Sequence, residues 1–254
     1  MRLARILHLI ASSRGGGATH VRDLALGLDP SRFAVRVAMP EDGGQVGRAD
    51  FVPAGISFEP VGITSGLSLR ALAQIRRLAA QADLLHVHGA RAALFGRLAA
   101  LTLGRRRPRV VFIIQGFALP YYAQPRRALL SALERWLARV TDAVIAVSQE
   151  ERRAYLTLGA IPPERLTVIP NGVRVEPFVE AASERQATRA ALGIPADALL
   201  ITTICRLYRP RDFDTLLHAF SHLCSGHGGT HPDGGPLFLL IVGDGPDRPQ
   251  VEEL

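Results

Sequence analysis

Three consecutive glycines, Gly15–Gly17, stand between an apolar segment and a segment with helical periodicity. A strand, a glycine-rich turn and a helix N-terminus together form an anion site, because backbone N–H groups converge there and the helix dipole favours negative charge. The dinucleotide-binding pattern G-x-G-x-x-G does not fit, since its last glycine would fall at His20, and no Gly-Lys-Ser/Thr of a P-loop follows. The glycines therefore indicate either an anion site or a structural turn alone.

Two arginines, Arg206 and Arg211, follow a predicted strand and precede a predicted helix. Guanidinium groups fixed at the carboxyl end of a strand suit bidentate binding of a phosphate or diphosphate. The alternative is a pair of solvated loop arginines. Further along the chain, an apolar segment ends in Gly243-Asp244-Gly245-Pro246, which by itself predicts an ordinary tight turn.

Histidines occur at spacings that metal sites use. His86 and His88 alternate along a predicted strand and share one face, but no third ligand is evident nearby, which favours a place in the core or at the rim of a cleft. A second group follows on a predicted helix and loop: His218, His222, Cys224, His227 and His231. That group fits a zinc ion or a flexible loop, and the loop is favoured. We therefore expect neither a metal nor a cofactor.

Strands and helices alternate along the first 175 residues, which predicts an α/β fold with a doubly wound parallel sheet. The predicted strands include residues 3–11, 33–40, 83–88, 109–116 and 142–148, and the predicted helices include 18–28, 67–81, 90–104, 124–140 and 149–159. Residues 176–194 are polar and bounded by proline, which predicts a linker. The pattern then restarts over 195–254 as one strand–helix–strand unit, which predicts the beginning of a second domain.

The chain of 254 residues is 48% hydrophobic and carries a net charge of +7. The positive charge is nearly all arginine, spread over helices without a stripe of interleaved aromatic residues, so nucleic acid is not expected as a partner. The basic helices over 67–81 and 124–140 predict either a peripheral contact with an anionic membrane or solvated helix faces. Two cysteines imply no disulfide framework and favour a reducing compartment, the cytoplasm.

Five stretches, taken together and in this order, resemble the retaining GT-B glycosyltransferases of family 4: RGGGATHVRDLALGL, DLLHVHGARAALFGRLAA, VTDAVIAVSQEERRAYLTLGAIPPERLTVIPNGV, CRLYRPRDFDTLLHAF and LFLLIVGDGPDRPQVEEL. The resemblance implies two Rossmann-like domains facing a cleft. The N-terminal domain, over 1–175, would mostly bind the acceptor, and the C-terminal domain the donor. It implies metal-independent sugar transfer, with retention of configuration, from a nucleotide-diphosphate sugar to a glycan, lipid or small-molecule acceptor.

The resemblance also implies roles for particular residues. Gly16 and Gly17 match the turn that approaches the donor diphosphate. Arg206 matches an arginine that binds the same diphosphate, and Arg211 stands where the family has a lysine, so these two are the expected catalytic residues. The residues expected on the acceptor side of the cleft are His20, His88, Gln115 and Asn171.

The sequence departs from the family pattern at several positions. Gln115 stands where many members have a cleft histidine, and an amide cannot take up a proton near neutral pH. Cys205 and Asp212 stand where glycines are usual, and a carboxylate beside a phosphate is unfavourable. The paired-glutamate motif that binds the donor would lie after residue 254, so a truncated member is expected. The alternatives are a non-catalytic nucleotide- or sugar-binding module, a sugar-nucleotide epimerase of similar shape and a dinucleotide oxidoreductase. The absence of a fitting G-x-G-x-x-G pattern argues against the oxidoreductase.

Overall fold

A computed structural model of the protein describes residues 2–63, 66, 68–116, 119, 122–208, 211–226, 228–231 and 234–253. The chain divides into two compact units, Met1–Gly172 and Val173–Leu254, and each is described by itself. Residues 176–194, predicted to link two domains, are largely helical and belong to the second unit.

The first unit is built on a sheet of seven parallel strands. These are β1 (Ala4–Ile10), β2 (Phe33–Met39), β3 (Ser57–Pro60), β4 (Leu84–His88), β5 (Arg109–Ile113), β6 (Ala143–Ala146) and β7 (Leu166–Val168). Their order in the sheet is β3-β2-β1-β4-β5-β6-β7. The direction of strand addition reverses between β1 and β4. At such a reversal the loops that follow the two strands diverge, which leaves a crevice at the carboxyl edge of the sheet.

In the described residues of the first unit, six helices pack against this sheet or follow its strands. They are α1 (Gly15–Gly27), α2 (Arg48–Phe51), α3 (Leu69–Ala79), α4 (Gly89–Leu103), α5 (Arg126–Leu137) and α6 (Gln149–Leu156). Short 3-10 turns cover Val52–Ala54, Gly104–Arg106, Ala138–Val140 and Pro163–Arg165. Ser68 and Ser148 start α3 and α6 as N-caps, because their hydroxyls accept hydrogen bonds from first-turn amides at 3.2 and 3.1 Å.

Side chains of β1 alternate between two hydrophobic clusters. Leu7 and Leu9 belong to the larger cluster, which includes buried residues of α3, α4 and α6. Ile10 belongs to the smaller cluster, which includes buried residues of α1 and α2. Leu7 and Leu9 are almost fully buried, and burial of one such side chain contributes about 1.5–3 kcal/mol. Because successive strand residues point to opposite faces, His8 lies on the same face as Ile10, the face covered by α1.

The second unit contains β8 (Leu199–Ile204) and β9 (Leu237–Val242), which pair in parallel. Its helices are α7 (Glu176–Glu180), α8 (Arg185–Ala191), α9 (Phe213–Gly226) and α10 (Arg248–Glu253), with a 3-10 turn at Ala181–Glu184. Helix α9 connects the two strands, which is the predicted strand–helix–strand arrangement. β8 leaves apolar side chains uncovered within this unit, and Ile204 is 77% exposed.

The predicted α/β fold with a doubly wound parallel sheet is confirmed. One local difference is at the glycines: the helix predicted from residue 18 already begins at Gly15. The sequence did not predict α2, a single turn of helix. Among the residues that the structure describes, no helix is both long and apolar enough to cross a membrane.

Candidate functional site

A pocket of about 550 Å³ opens at the carboxyl edge of the first unit's sheet. This volume is in the range of small-molecule sites. Five residues singled out from the sequence line it: Gly16, Gly17, His88, Gln115 and Asn171. Each of the last three follows or ends a strand, since β4 ends at His88 and the other two residues follow β5 and β7. The parallel sheet thus brings together residues that lie far apart in the sequence.

The N-terminus of α1 forms one wall of this pocket. The backbone of Gly15 has a φ of +77°, and its amide donates to Oε1 of Gln45 at 2.9 Å. The amides of a helix's first turn have no intrahelical acceptor, and they carry the positive end of the helix dipole. A Cβ added to Gly16 would meet no protein atom within 4 Å, so the backbone here borders open space. A Cβ on Gly17 would lie 3.4 Å from Oε1 of Gln115.

Gln115 occupies an unusual backbone conformation at the pocket wall. Its φ is +50°, and it is the one non-glycine residue with positive φ in the part of the chain that the structure describes. The carboxylate of Glu151 fixes the neighbouring backbone: it accepts hydrogen bonds from the amides of Gly116 and Val147, both at 2.8 Å. Val147 also lines the pocket, so the buried Glu151 positions two of its walls.

Glu151 and Arg91 are two residues of this region that the sequence analysis did not single out. The pattern Ser148-x-x-Glu151 at a helix start is a signal for Glu151, although the carboxylate here binds other amides than in a capping box. Arg91 lies in the first turn of α4, is exposed and lines the pocket. Nothing in the sequence distinguishes Arg91 from the other helix arginines.

A group of histidines lies beside the pocket, on the face of the sheet that α1 covers. His8 pairs in register with His86 across β1 and β4, and its Nδ1 lies 3.1 Å from Nε2 of His88. His20, on α1, is half-buried with its ring centre 5.8 Å from that of His88. His8, His86 and His88 are buried. His88 also ends β4 immediately before α4 and thereby joins the group to the pocket.

Burial makes these imidazoles neutral near pH 7. Burial first, and the neighbouring histidines second, lower the pKa of His8 to about 3 and that of His86 to about 4. The same causes hold the pKa of His88 well below its ordinary value. Burial also lowers the pKa of His20, against an opposing effect of the Asp23 charge. None of these rings carries a positive charge toward the pocket at neutral pH.

The structure corrects the statement that His86 and His88 have no third partner. His8 brings a third ring, and one nitrogen from each of the three lies within 4.8 Å of the others. Within the described ranges, no second group of this kind forms, so His218, His222 and Cys224 do not meet around a common point. His227, which the sequence analysis placed with them, lies outside the described residues.

Arg206 and Arg211 belong to the second unit, after β8, and both are exposed. The Arg206 guanidinium lies 5.3 Å from the centre of the Tyr208 ring, and the Arg211 amide donates to the Tyr208 carbonyl at 2.9 Å. Asp212, the residue whose charge conflicts with a phosphate, caps α9. Its carboxylate accepts hydrogen bonds from the amide and the hydroxyl of Thr215, at 3.1 and 2.8 Å. The hydroxyl bond is the main cause that lowers the pKa of Asp212.

The turn at Gly243-Asp244-Gly245-Pro246 packs against the segment that carries Arg206. A Cβ on Gly243 would clash with the Cys205 carbonyl oxygen, and a Cβ on Gly245 would clash with the Leu207 carbonyl oxygen. The Leu207 amide donates to the Asp244 carbonyl at 3.0 Å. The two glycines are therefore required by close backbone contact, and they fix the backbone on both sides of Arg206.

Comparison with known proteins gives consistent matches. The model of Glycosyltransferase Family 4 matches residues 14–177. The UDP-Gal:alpha-D-GlcNAc-diphosphoundecaprenol alpha-1,3-galactosyltransferase of Escherichia coli is 26% identical over 167 residues, which cover 64% of this chain and 41% of that protein. The D-inositol 3-phosphate glycosyltransferase of Kineococcus radiotolerans is 30% identical over 118 residues, which cover 39% of this chain and 27% of that protein.

Solved structures match over nearly the whole chain. The crystal structure of Anabaena HepE in complex with UDP and glucose has a TM-score of 0.75 at 20% identity, covering 99% of this chain and 64% of that one. A glycosyltransferase from Rickettsia africae has a TM-score of 0.70 at 15% identity, covering all of this chain and 64% of that one. The chain therefore spans less than two thirds of the length of the proteins it matches here.

Proposed function

Because the chain belongs to glycosyltransferase family 4 and has the α/β architecture of the GT-B type, we propose that it is a glycosyltransferase. It transfers a sugar from a nucleotide-diphosphate sugar to an acceptor, with retention of configuration and without a catalytic metal. The observation that carries this proposal is the pocket at the carboxyl edge of the sheet, with the N-terminus of α1 on one wall and Gln115, His88 and Asn171 on the others.

The donor diphosphate is assigned to the α1 N-terminus. Gly16 and Gly17 leave the first-turn amides accessible, and an anion there is favoured by both the free N–H groups and the helix dipole. In the second unit, the family pattern assigns Arg206 and Arg211 to diphosphate binding. Both guanidinium groups are exposed, and Asp212 does not oppose them as an unpartnered charge because Thr215 engages its carboxylate. UDP in the HepE structure is consistent with a nucleotide diphosphate as the leaving group.

Catalysis in this proposal is electrostatic. As the glycosidic bond to the diphosphate breaks, its electron pair moves to the leaving phosphate oxygen, where negative charge develops. The acceptor hydroxyl bonds to the same sugar carbon and gives its proton to that phosphate oxygen. Arg206, Arg211 and the α1 amides stabilise that charge, and a well-placed donor of this kind contributes about 3 kcal/mol. Gln115 orients the acceptor by hydrogen bonds from its side-chain amide, which is uncharged at neutral pH. His88 lines the same pocket.

The acceptor is proposed to be linked to a lipid. A second, largely apolar groove of about 290 Å³ lies between α4 and α5, and Ala90 and Arg91 line both this groove and the pocket. Leu94, Leu130 and Leu133 provide its apolar surface. Arg91 stands at the junction, where it can pair with an anionic phosphate while the lipid chain lies along the leucines. The diphosphoundecaprenol in the name of the E. coli relative has this chemistry.

A second candidate function is that of a module that binds nucleotide sugars without transferring them. Gln115 favours it, because an amide stands where many members of the family have a histidine. Its side chain Nε2 is buried and has no hydrogen-bond partner in the described part of the chain. A module of this kind binds the donor but releases no nucleotide diphosphate in the presence of acceptor.

Two glycines of α1 offer a matched test of the donor site. Gly16→Ala and Gly27→Ala both add a methyl group to open space on the same helix, and both raise helix propensity. Only Gly16 borders the pocket. We expect Gly16→Ala to weaken UDP-sugar binding on the order of 100-fold by displacing the diphosphate, and Gly27→Ala to leave binding unchanged. Isothermal calorimetry of the full chain with UDP-glucose and UDP-galactose measures this difference, and equal affinities for both variants contradict the assignment.

Turnover tests the arginines. Arg206→Ala is expected to reduce the rate of UDP release in the presence of a lipid-diphosphate sugar acceptor about 100- to 1000-fold. The matched control is Arg185→Ala, an exposed arginine of α8 in the same unit. If Arg206→Ala transfers sugar as fast as the control, Arg206 has no catalytic role. If the unsubstituted chain binds donor but yields no transfer, the binding module is the better description.

A further inference from the structure

Of the histidines on β1 and β4, His88 lines the pocket of the proposed transfer reaction, whereas His8 and His86 lie outside it. His8 and His86 are register neighbours on adjacent strands, and His88 follows at the next position on the same face. The ring centres of His86 and His88 are 4.2 Å apart, and that of His8 lies 5.2 and 5.3 Å from theirs. Three imidazoles thus converge on the side of the sheet that is otherwise packed with apolar residues.

Most nitrogens of this group lack a partner. His8 Nε2, His86 Nε2 and His88 Nδ1 are buried without a hydrogen bond to any described residue, and so is Nε2 of His20 beside them. His8 and His88 are 1% and 2% exposed. These unpaired atoms are costly to bury, and they are not the two nitrogens that face each other, His8 Nδ1 and His88 Nε2, so they need a partner such as buried water whether or not an ion is bound.

We propose that His8, His86 and His88 bind a zinc ion. A Zn–N distance of about 2.0–2.1 Å in a tetrahedral site puts ligand nitrogens about 3.3 Å apart. The observed separation of His8 Nδ1 and His88 Nε2 is 3.1 Å, and the candidate nitrogens of all three residues lie within 4.8 Å of one another. Small rotations of the rings therefore complete the site. Three histidines are a known ligand set for zinc, with the fourth position open.

Two of the ligands, His86 and His88, lie on β4, 78 and 80 residues after His8 on β1. The ion therefore fastens β1 to β4 at the crevice and stabilises the first unit, outside the transfer reaction itself.

Metal content and the cobalt spectrum test the site without any substitution. The full chain, purified in medium with added zinc and dialysed, is expected to retain about one zinc per chain. After the zinc is exchanged for Co²⁺, the intense visible absorption of tetrahedral nitrogen-ligated cobalt is expected. Zinc well below one equivalent, together with a spectrum of aqueous octahedral cobalt, overturns the proposal and leaves buried water as the partner of the rings.

A substitution distinguishes a zinc site from a group of histidines without an ion. His8→Phe keeps a ring of similar volume and removes the nitrogens. The matched control is His222→Phe, which removes an exposed histidine of α9. With a zinc site, a hundredfold excess of zinc over its Kd raises the unfolding temperature of the unsubstituted chain and of His222→Phe by about 5–10 °C, and that of His8→Phe not at all.

Without a zinc site, His8→Phe removes the unpaired Nε2 together with the hydrogen bond between Nδ1 and His88. Zinc then shifts the unfolding temperature of none of the three proteins. That result overturns the metal site and leaves the proposed transferase function untouched. The proposed function can also fail by itself. If Gly16→Ala binds the donor as tightly as Gly27→Ala while zinc still raises the unfolding temperature, only the assignment of the donor site is contradicted.

Discussion

The ion pair between Arg97 and Glu134 carries the largest effect on stability that we expect from a single substitution. Arg97 on α4 is 1% exposed, and its guanidinium donates two hydrogen bonds to Glu134 on α5, at 2.6 and 2.8 Å. Its Nε donates to the Ala93 carbonyl at 3.0 Å, and the guanidinium lies 4.7 Å from the centre of the Phe112 ring. Tyr155 donates its hydroxyl to the same carboxylate at 2.6 Å.

Glu134→Gln removes the negative charge while keeping the size of the side chain. It leaves the buried Arg97 cation without its counter-charge, and breaking a buried pair in this way costs about 3–5 kcal/mol. Because the Glu134 side chain retains 16% exposure, we expect the lower end, about 3 kcal/mol. For a unit of this size, that loss lowers the midpoint of thermal unfolding by about 6–12 °C.

A variant without either charge separates the pair's net contribution from the cost of breaking it. We expect Arg97→Met combined with Glu134→Leu and Tyr155→Phe to unfold within about 1–2 kcal/mol of the unsubstituted protein, because apolar side chains of similar volume replace a buried pair at little cost. Tyr155→Phe is included because its hydroxyl would lose the Glu134 acceptor. The triple variant is thus expected to be more stable than Glu134→Gln alone.

Urea unfolding of the full chain at pH 7, followed by the fluorescence of Trp136, measures these differences. Trp136 is the single tryptophan of the sequence and lies on α5, two residues from Glu134. Its signal therefore reports on the first unit. A loss below about 1 kcal/mol in Glu134→Gln, or a triple variant less stable than Glu134→Gln, would refute the reasoning that the buried charge dominates.

Three further predictions concern the pocket wall, acid stability and membranes. Glu151→Gln replaces one accepting oxygen by an amide donor that faces a backbone N–H. We therefore expect it to lower the free energy of unfolding by about 1–3 kcal/mol. Urea unfolding no different from that of the unsubstituted chain would contradict the role of Glu151. Burial raises the pKa of Asp142, but hydrogen bonds from Arg107 and the Val110 amide, among others, outweigh it and hold that pKa below its ordinary value. Its contribution to stability is therefore present above about pH 4 and lost as the pH falls through the lowered pKa, so the stability difference between the unsubstituted chain and Asp142→Asn should shrink below about pH 4 in unfolding curves. Arg127→Glu on α5 should reduce co-sedimentation with anionic vesicles about fivefold or more and leave co-sedimentation with neutral vesicles unchanged. If the unsubstituted chain sediments equally with both vesicle types, that result counts against a membrane contact.

Local sequence patterns determined most of the elements and their type. The apolar runs predicted the buried strands, and Ser148 predicted the start of α6, because a side-chain cap and an apolar period depend only on neighbours within a few residues. The order of five motifs was sufficient to identify the family that the comparison then showed. The start of α1 was missed because glycine has a low helix propensity, whereas here Oε1 of Gln45 accepts from the Gly15 amide and the helix packs through Ala18 and Val21.

The site itself depended on the tertiary structure. Gly16, Gly17, His88, Gln115 and Asn171 meet because parallel strands end at one edge of the sheet, although the chain separates them by up to 155 residues. His8 was unrecognisable as a partner of His86, since their contact follows from the strand order and not from sequence spacing. Likewise, the need for Gly243 and Gly245 and the capping role of Asp212 arise from contacts with neighbouring backbone. The sequence thus fixes which residue types are present and which elements they form, whereas strand order and register decide which of them come within reach of one ligand.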